Sequence, residues 1–436
     1  MFAGPEVIFL SITLINTSEK LNNNKSRVIL SIVTGWMFYL LCYISRVEPS
    51  VLANELMREF NMTASTFGFV VSSLYITYCL MQIPNGILLD KFGSRIVLSV
   101  SALICSIGIF IFGFAKIPGY LEIGRLILGV GSASGFIGCT KVISELIPPC
   151  KYSLFVGMSM FVGCLGGICG SVPTAYLVSH FGWRTTTFAI ASIGVLLAIL
   201  ATRIAKPKYG QNVKIPVEIK PLDGIKILAR NPKFWILGIC GAISYLPLSA
   251  IAELWCTPFV EKKYGITTSM AAISTTFIFI GYGVGSIITA SLANFFKSCR
   301  KVLFIFTFLM ILIFIPIIYW NEMPLSLCFV MFFSFGVFGG TIPLFFTIAF
   351  SMVPKRYGGT SSGFTNMIIM TGGFIFQPLL GQLLDYFRGG MMDADGTPVY
   401  TFVMYQNAFS IILICMILSI FLVFAIDDVR SSRHED

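Results

Sequence analysis

Charged side chains inside long apolar stretches are the residues of this chain most suited to chemistry. Arg46, Arg125 and Lys141 lie in such stretches, as do Glu145 and Glu253. A charge is costly in the hydrocarbon of a bilayer, so it usually faces a cavity or a partner and marks the path of a substrate or ion. A guanidinium fits a carboxylate or phosphate. A buried carboxylate can take up a proton, so we expect Glu145 and Glu253, with Arg125, to serve proton coupling.

Aromatic and polar side chains accompany the first of these charges at helical spacing. Trp36, Tyr39, Tyr43, Arg46 and Ser50 follow one another at intervals of three and four residues. That spacing places them on one face of a helix. We therefore expect Arg46 to bind the anionic group of a small molecule, with Tyr39 and Tyr43 beside it.

Three of these charges also have a purely structural interpretation. Arg46 could pair permanently with a carboxylate such as Glu48, Glu145 or Glu253. Arg125 lies toward the end of its apolar stretch and could extend its charge to the membrane surface. Glu253 could likewise lie in water at a helix end. The sequence leaves these alternatives open.

Further substrate contacts are expected from polar residues on other apolar stretches. Tyr75, Tyr78, Gln82 and Asn85 repeat the helical spacing, and Tyr245, Ser249 and Glu253 share a face. Such stripes face either a central cavity or a neighbouring helix. The predicted substrate-binding residues are Tyr39, Tyr43, Arg46, Tyr75, Tyr78, Gln82, Lys141, Tyr245 and Asn366.

The elements that carry these residues are long apolar runs. Of the 436 residues, 56% are hydrophobic and 11% charged, too few charges for the polar surface of a soluble protein of this size. A bilayer-spanning helix needs about 20 apolar residues. The run lengths, without alternation, exclude a barrel. Twelve spans are predicted, numbered 1 to 12 in chain order, at 28–53, 67–89, 95–115, 118–146, 152–178, 184–204, 234–258, 271–296, 302–320, 323–353, 358–386 and 401–426.

The loop charges set an expected orientation. Twelve spans place both termini on one side, and the loops on that side carry 21 Lys and Arg against 6 on the other. Because basic loops stay in the cytoplasm, both termini are expected there. The predicted organisation is a cytoplasmic tail (1–27), a six-helix bundle (28–204), a basic linker (205–233), a second bundle (234–426) and a second tail (427–436).

The two predicted bundles resemble each other in sequence. At an offset of 204, segment 58–65 aligns with 262–269. At an offset of 206, Gly157, Gly166 and Gly167 align with Gly363, Gly372 and Gly373. A duplicated six-helix unit with a solute site between its copies is typical of transporters.

Several other classes of function are excluded. The twelve Cys are scattered without a C-x-x-C, and the two His lie away from them, so neither a metal site nor a disulfide framework is expected. The net charge of +10 is spread over short loops with no basic face, so no nucleic-acid partner is expected. No nucleotide-binding G-x-x-x-x-G-K-S/T occurs. We expect no enzyme activity and no cofactor.

The loop between spans 2 and 3 carries the most specific motif. It reads GILLDKFGSR, and Gly86, Asp90, Lys91, Gly93 and Arg95 resemble the loop signature G-x-L-x-D-R/K-x-G-R-R of the major facilitator superfamily. The resemblance covers essentially the whole chain. It implies two pseudo-symmetric six-helix bundles in an all-α membrane protein, and a loop that latches the bundles together. A basic turn that sets topology is the alternative.

Two further motifs refine the resemblance. Tyr43-x-x-Arg46 resembles the organic-anion and organophosphate branch of the superfamily, which implies that Arg46 binds the substrate's anionic group. In that branch a basic residue sits at Lys141 and a substrate-binding His at Glu145. A second Arg expected near Ser249 is missing, which weakens the phosphate-ester interpretation. In span 4, Arg125 begins a stretch similar to the family's R-x-x-x-G-x-G.

The expected function is secondary active transport of a small organic solute by alternating access. The expected solute is an organic anion, and its transport is expected to be coupled to H⁺. Amino acids or small peptides, carried by a uniporter or symporter, are the alternative substrates. A non-transporting membrane sensor is a rival on the same scaffold, and a channel lacks a filter-like repeat. We expect a monomer in a bacterial inner membrane, with the lipid bilayer and a small molecule as its partners.

Overall fold

Helices account for nearly all of the described chain. The computed structural model describes residues 5–204, 221–354, 357–393, 396, 398–426 and 428. Within these residues, eleven helical segments are long and apolar enough to cross a membrane. The 50-residue segment Ala64–Gly113 is interrupted at Gly93, where φ is +78°. At about 1.5 Å per residue it is long enough for two crossings, so the twelve-helix architecture predicted from the sequence is confirmed.

The observed spans keep the predicted order, with ends shifted by several residues. Spans 2 and 3 are the two parts of the segment broken at Gly93. The spans are Ser26–Glu59, 64–92, 94–113, Pro118–Leu146, Leu154–Phe181, Trp183–Ala201, Pro232–Tyr264, Thr268–Phe296, Cys299–Tyr319, Leu325–Ser351, Thr360–Arg388 and Phe402–Val423.

The predicted tails and linker outside the spans are only partly described by the structure. The helix that contains span 1 begins at Pro5, so the stretch predicted as a tail is largely helical. Most of the predicted linker, residues 205–220, lies outside the described residues, but Pro221–Ala229 forms a short helix. The second predicted tail is described only at Asp428, whose carboxylate accepts a hydrogen bond from Ser298 Oγ at 2.7 Å. The linker boundaries therefore stay a prediction.

Four spans are not continuous α-helices. Span 4 is interrupted after Ser132 and span 10 after Gly339. The distance in sequence between these two positions is close to the offsets at which the two bundles align, so the interruptions occupy equivalent places in the two halves. Span 5 is interrupted at Ser171. Span 7 contains a nine-residue π-helix, Pro247–Trp255, between two α-helical parts. Departures from α-helical geometry inside a helix often mark functional positions.

Polar contacts join the first six spans to the last six at the end of the bundle far from the termini. Ser50 Oγ lies 3.0 Å from Thr257 Oγ1. Ser171 Oγ lies 2.7 Å from Thr276 Oγ1. Asn54 Nδ2 donates to the Glu261 carboxylate. The molecule is therefore sealed at this end, which we call the far end.

The same far end is sealed between spans 2 and 11. The backbone N–H of Ser65 donates to Asp385 Oδ2 at 2.9 Å. The backbone N–H of Ala64 donates to the hydroxyl of Tyr400 at 2.7 Å, and that hydroxyl donates to Asp385 Oδ1. Gly381 packs directly against the Ala64 carbonyl. The N-terminus of span 2 is thus held by groups of the second half.

Candidate functional site

Arg46 lies at the centre of the bundle, surrounded by aromatic rings. Its side chain is buried, with 3% of the residue exposed. The guanidinium carbon lies 5.1 Å from the ring centre of Tyr43, 5.6 Å from that of Tyr75 and 4.9 Å from that of Tyr78. Each ring face attracts the cation. The predicted stripes on spans 1 and 2 therefore meet around one guanidinium.

The anionic partner of Arg46 comes from the other half of the molecule. Arg46 Nη1 lies 3.9 Å from Oε1 of Glu253 in span 7, and the Tyr75 hydroxyl donates to Glu253 Oε2. Within the described part of the chain, Arg46 Nε and Glu253 Oε1 have no hydrogen-bond partner. We call Tyr43, Arg46, Tyr75, Tyr78 and Glu253 the central cluster. Its ion pair is long, and both partners keep unused hydrogen-bonding capacity.

The π-helix in span 7 places Glu253 in this cluster. Pro247 has no N–H to donate to the carbonyl of Ile243, so the regular α-helical ladder is interrupted at the start of the segment. The wider turns that follow carry Glu253, which is fully buried. Just before the π-helix, the hydroxyls of Tyr245 and Tyr43 lie 3.5 Å apart. Span 7 therefore meets span 1 at Tyr245 and at Glu253, in addition to its contacts with span 1 at the far end.

Two other predicted substrate contacts, Tyr39 and Gln82, lie next to the cluster on the same helices, and a third, Asn366, lies on span 11. Tyr39 packs edge-on against Tyr43, with ring centres 5.3 Å apart. Gln82 is buried one turn beyond Tyr78, and neither of its amide atoms has a hydrogen-bond partner among the described residues. Asn366 is half-buried in span 11, which approaches span 2 where the Cys79 thiol lies 3.4 Å from the carbonyl of Met367.

Arg125 is buried behind the cluster instead of extending to the membrane surface. Only 2% of the residue is exposed. Its Nε donates to the carbonyl of Val71 at 3.1 Å and its Nη1 to that of Ser45 at 2.7 Å. Arg125 thus links span 4 to spans 1 and 2, and its contact in span 1 is Ser45, the residue directly before Arg46.

Glu48 is a buried carboxylate that the sequence offered only as a partner for Arg46. It is 3% exposed and accepts a hydrogen bond from Thr187 Oγ1 of span 6 at 2.5 Å. The structure pairs Arg46 with Glu253 instead. The sequence signal for Glu48 was its position two residues after Arg46. Residues two apart on a helix point to different faces, so this spacing argued against a contact between the two side chains.

The structure places Lys141 and Glu145 beside the loop between spans 2 and 3, apart from the central cluster. Lys141 Nζ lies 2.8 Å from Asp90 Oδ1, and Ser94 Oγ donates to Glu145 Oε2 at 2.5 Å. Lys141 lies 16 residues beyond Arg125 along span 4, roughly 24 Å at 1.5 Å per residue. Both residues bind the loop, so the structure brings neither Lys141 to the other predicted substrate contacts nor Glu145 to Arg46.

The loop itself has the conformation its glycine predicts. Gly93 adopts φ +78°, which side chains with a Cβ rarely tolerate. Gly86 has open space at its Cβ position, and Lys91 and Arg95 are exposed. Span 4 therefore holds the loop through one exposed ion pair and one buried hydrogen bond.

Comparisons with known proteins agree with this architecture. A profile of the Major Facilitator Superfamily matches residues 31–378. The uncharacterized transporter YybO of Bacillus subtilis (strain 168) is 29% identical over 254 residues, 54% of this chain and 58% of that protein. The D-galactonate transporter of Escherichia coli O6:H1 is 23% identical over 388 residues, 81% of this chain and 88% of that protein. Alignments with three other curated relatives span only 36–40% of their length.

A solved structure shares the fold. A bacterial homologue of the human lysosomal transporter Spinster, in an inward-facing and unoccupied conformation, superposes with a TM-score of 0.77 at 16% sequence identity. The match covers 92% of this chain and 96% of that one.

Proposed function

We propose a function from the family of this chain, which belongs to the Major Facilitator Superfamily. The chain carries a small organic anion across the membrane by alternating access and couples this movement to protons. The chain is an integral multi-pass membrane protein of a transporter family and not an enzyme. The substrate class and the proton coupling are the proposed part. The similarity to a D-galactonate transporter supports a carboxylate substrate.

The observation that carries the proposal is the incompletely paired state of Arg46. A buried charge normally has a close partner and filled hydrogen bonds. Arg46 has a carboxylate only at 3.9 Å, and its Nε is unpaired within the described residues. A substrate carboxylate would supply the short, charge-assisted hydrogen bonds that Glu253 does not make. Tyr43 and Tyr78 would pack against the body of the substrate.

Glu253 supplies a physical route to proton coupling. An anionic substrate at Arg46 would lie beside the Glu253 carboxylate, and two like charges in a buried site repel each other. Protonation of Glu253 removes that repulsion and frees Arg46 for the substrate. Proton and anion would therefore bind together and be carried together, as in a symporter. Arg125 would fix the backbone around Arg46 from behind.

The sealed far end defines the conformational state in this proposal. The excess of Lys and Arg in the loops near the termini supports a cytoplasmic location of both termini. With that orientation the far end would face outward, and the transporter would be closed on that side. The loop residues Gly86, Asp90, Lys91, Gly93 and Arg95 would then latch the cytoplasmic side when the transporter faces outward. The bacterial relatives support a location in an inner membrane.

Ligand binding to purified protein tests the substrate class. Thermal unfolding in detergent is measured for wild type, Arg46→Ala and Arg184→Ala with D-galactonate, D-glucuronate, glycerol 3-phosphate, amino acids and dipeptides. Ligand at about 100 times its Kd stabilises the folded state by about 2.7 kcal/mol. We expect a carboxylate to raise the Tm of wild type and of Arg184→Ala but not of Arg46→Ala.

The Arg184→Ala control and the alternative functions determine how the binding results are interpreted. Arg184 is a half-exposed arginine paired with Glu59 at the far end. Arg184→Ala therefore removes one positive charge, as Arg46→Ala does, but leaves the central cluster unchanged. Equal stabilisation of all three proteins by a neutral or zwitterionic ligand would contradict anion binding at Arg46. That result would favour amino acids or small peptides. Binding without flux in liposomes would favour a membrane sensor.

A further inference from the structure

The π-helix that carries Glu253 is held at two positions by one residue of span 11. Gln377 Nε2 donates to the carbonyl of Ser249 at 2.6 Å. The carbonyl of Gln377 accepts from Trp255 Nε1 at 3.0 Å. All three residues are buried. Ser249 and Trp255 flank Glu253, so Gln377 spans the segment that presents the carboxylate.

A π-helix of nine residues needs such support. π-geometry is rare in proteins and occurs mostly as a single widened turn. Carbonyl groups that leave the α-helical ladder in an apolar interior need other donors. The Gln377 amide is such a donor for Ser249. Pro378 follows at once and prevents a regular ladder in span 11 as well.

The same residue is covered by the first half of the molecule. A Cβ at Gly68 of span 2 would lie 2.7 Å from the Gln377 carbonyl oxygen and 3.0 Å from Pro378 Cα. Phe67 packs edge-on against Trp255, with ring centres 6.1 Å apart. These contacts join the two halves of the molecule next to the seal at the far end.

We infer that Gln377 is a positioning residue: it clamps the π-helix so that Glu253 faces Arg46, and it links this arrangement to closure of the far end by span 2. When the far end opens, Gly68 and Phe67 move away from Gln377 and Trp255. The segment is then free to change its pitch and to turn Glu253 away from Arg46. This inference rests on the proposed role of Glu253 as proton carrier.

Hydrogen exchange of the peptide covering 245–258 tests the clamp without any transported substrate. Gln377→Leu removes the side-chain donor, and Trp255→Phe removes the indole N–H while keeping an aromatic ring. We expect each variant to speed exchange in this peptide at least fivefold. Gln382→Leu, at an exposed position on the same helix, is the control and should exchange like wild type. Unchanged exchange in both clamp variants overturns the inference.

A double-mutant cycle in proteoliposomes tests whether Gln377 acts through Glu253. With D-galactonate as the transported probe, Gln377→Leu should lower kcat about tenfold and change KM by less than twofold. In a Glu253→Gln background, measured by exchange of labelled for unlabelled D-galactonate, which needs no net proton movement, the same substitution should have no further effect, because residues that act as one unit are not additive. Independent, additive losses overturn the positioning role.

Failure of the proposed function gives a different pattern. If Glu253→Gln alone keeps the wild-type rate and pH dependence of uptake, or if wild type carries no carboxylate, the proton-coupled anion proposal fails. The exchange experiment still decides whether Gln377 holds the π-helix.

Discussion

The tyrosines around Arg46 contribute in two different ways. Tyr78 presents its ring to the guanidinium at 4.9 Å, whereas Tyr75 also donates a hydrogen bond from its hydroxyl to Glu253. A ring interaction survives replacement by Phe, and a hydroxyl contact does not. The two residues therefore separate the attraction of the cation from the placement of the carboxylate.

Substitution of Tyr78 tests the ring interaction. A cation–π contact contributes about 0.5–2 kcal/mol, so Tyr78→Leu should weaken binding of the anion identified by thermal shift by about two- to thirtyfold. Tyr78→Phe keeps the ring and should stay within about twofold of wild type. Isothermal titration of both variants provides the check. Equal losses in the two variants would assign the effect to the hydroxyl.

Substitution of Tyr75 tests the link to the proton site. Tyr75→Phe removes a hydrogen bond to a charged group, worth about 1.5–3 kcal/mol, and leaves Glu253 less firmly placed. We expect the pH profile of uptake to change in Tyr75→Phe and to stay as in wild type in Tyr78→Phe. Identical profiles for all three proteins would mean that the Tyr75 hydroxyl does not act on the coupling step.

Part of the site could be predicted residue by residue. The three-and-four spacing of Tyr43 and Arg46, and of Tyr75 and Tyr78, indicated the faces that meet in the structure. The partner of Arg46 could not be chosen among Glu48, Glu145 and Glu253. That choice depends on the rotation of span 7, which its π-helix sets, and on the loop contact that occupies Glu145.

At the scale of elements, the N-terminus of span 2 makes a specific contact in the seal at the far end. Its first backbone N–H groups are bound by Asp385 and Tyr400, and a carboxylate is favoured at the positive end of a helix. Burial, and the hydrogen bond to Asp385, raise the pKa of Tyr400. The protonated Tyr400 hydroxyl therefore makes its full contribution to the stability of the fold at physiological pH. This contribution is lost only as the pH rises above the ordinary tyrosine pKa of about 10.

Neutralising Asp385 should loosen this seal. A carboxylate at a helix N-terminus contributes up to about 2 kcal/mol in a partly buried position, so Asp385→Asn should speed hydrogen exchange at the start of span 2 about fivefold or more. Asp90→Asn, at the opposite end of the same helix, serves as control and should leave that peptide unchanged. Unaltered exchange in Asp385→Asn would show that the charge is not needed.

Close packing of spans 8 and 10 makes a second prediction for the elements. A Cβ on Gly285 would collide with the backbone carbonyl of Val337, whereas Gly157 has open space at that position. Overpacking against backbone costs about 1–3 kcal/mol. Gly285→Ala should therefore lower the Tm in detergent clearly, and Gly157→Ala should not. Equal Tm values would contradict the packing described for these spans.

The elements were predictable in number but not in detail. Run length and hydropathy are enough for twelve helices, because lipid leaves the backbone few alternatives. The interruptions after Ser132 and Gly339, and the helix beginning at Pro5, were not predicted. They depend on tertiary contacts and on local conformations that composition does not determine.

For the whole molecule, the central cluster joins two halves that separate during transport in the proposed mechanism. Arg46 belongs to the first half and Glu253 to the second, and the seal at the far end lies further out along the same helices. Any rocking of the halves changes the distance between guanidinium and carboxylate. In this account proton, substrate and conformation are coupled through that single distance.

Uptake driven by a pH gradient in proteoliposomes tests this account most directly. D-galactonate, or the carboxylate with the largest thermal shift, is supplied outside while internal pH is followed with a trapped dye. We expect an acid-outside gradient to accelerate uptake, with internal acidification that requires the carboxylate and disappears in Arg46→Ala and Glu253→Gln. Uptake that ignores the gradient and persists in both variants would contradict a proton-coupled anion transporter.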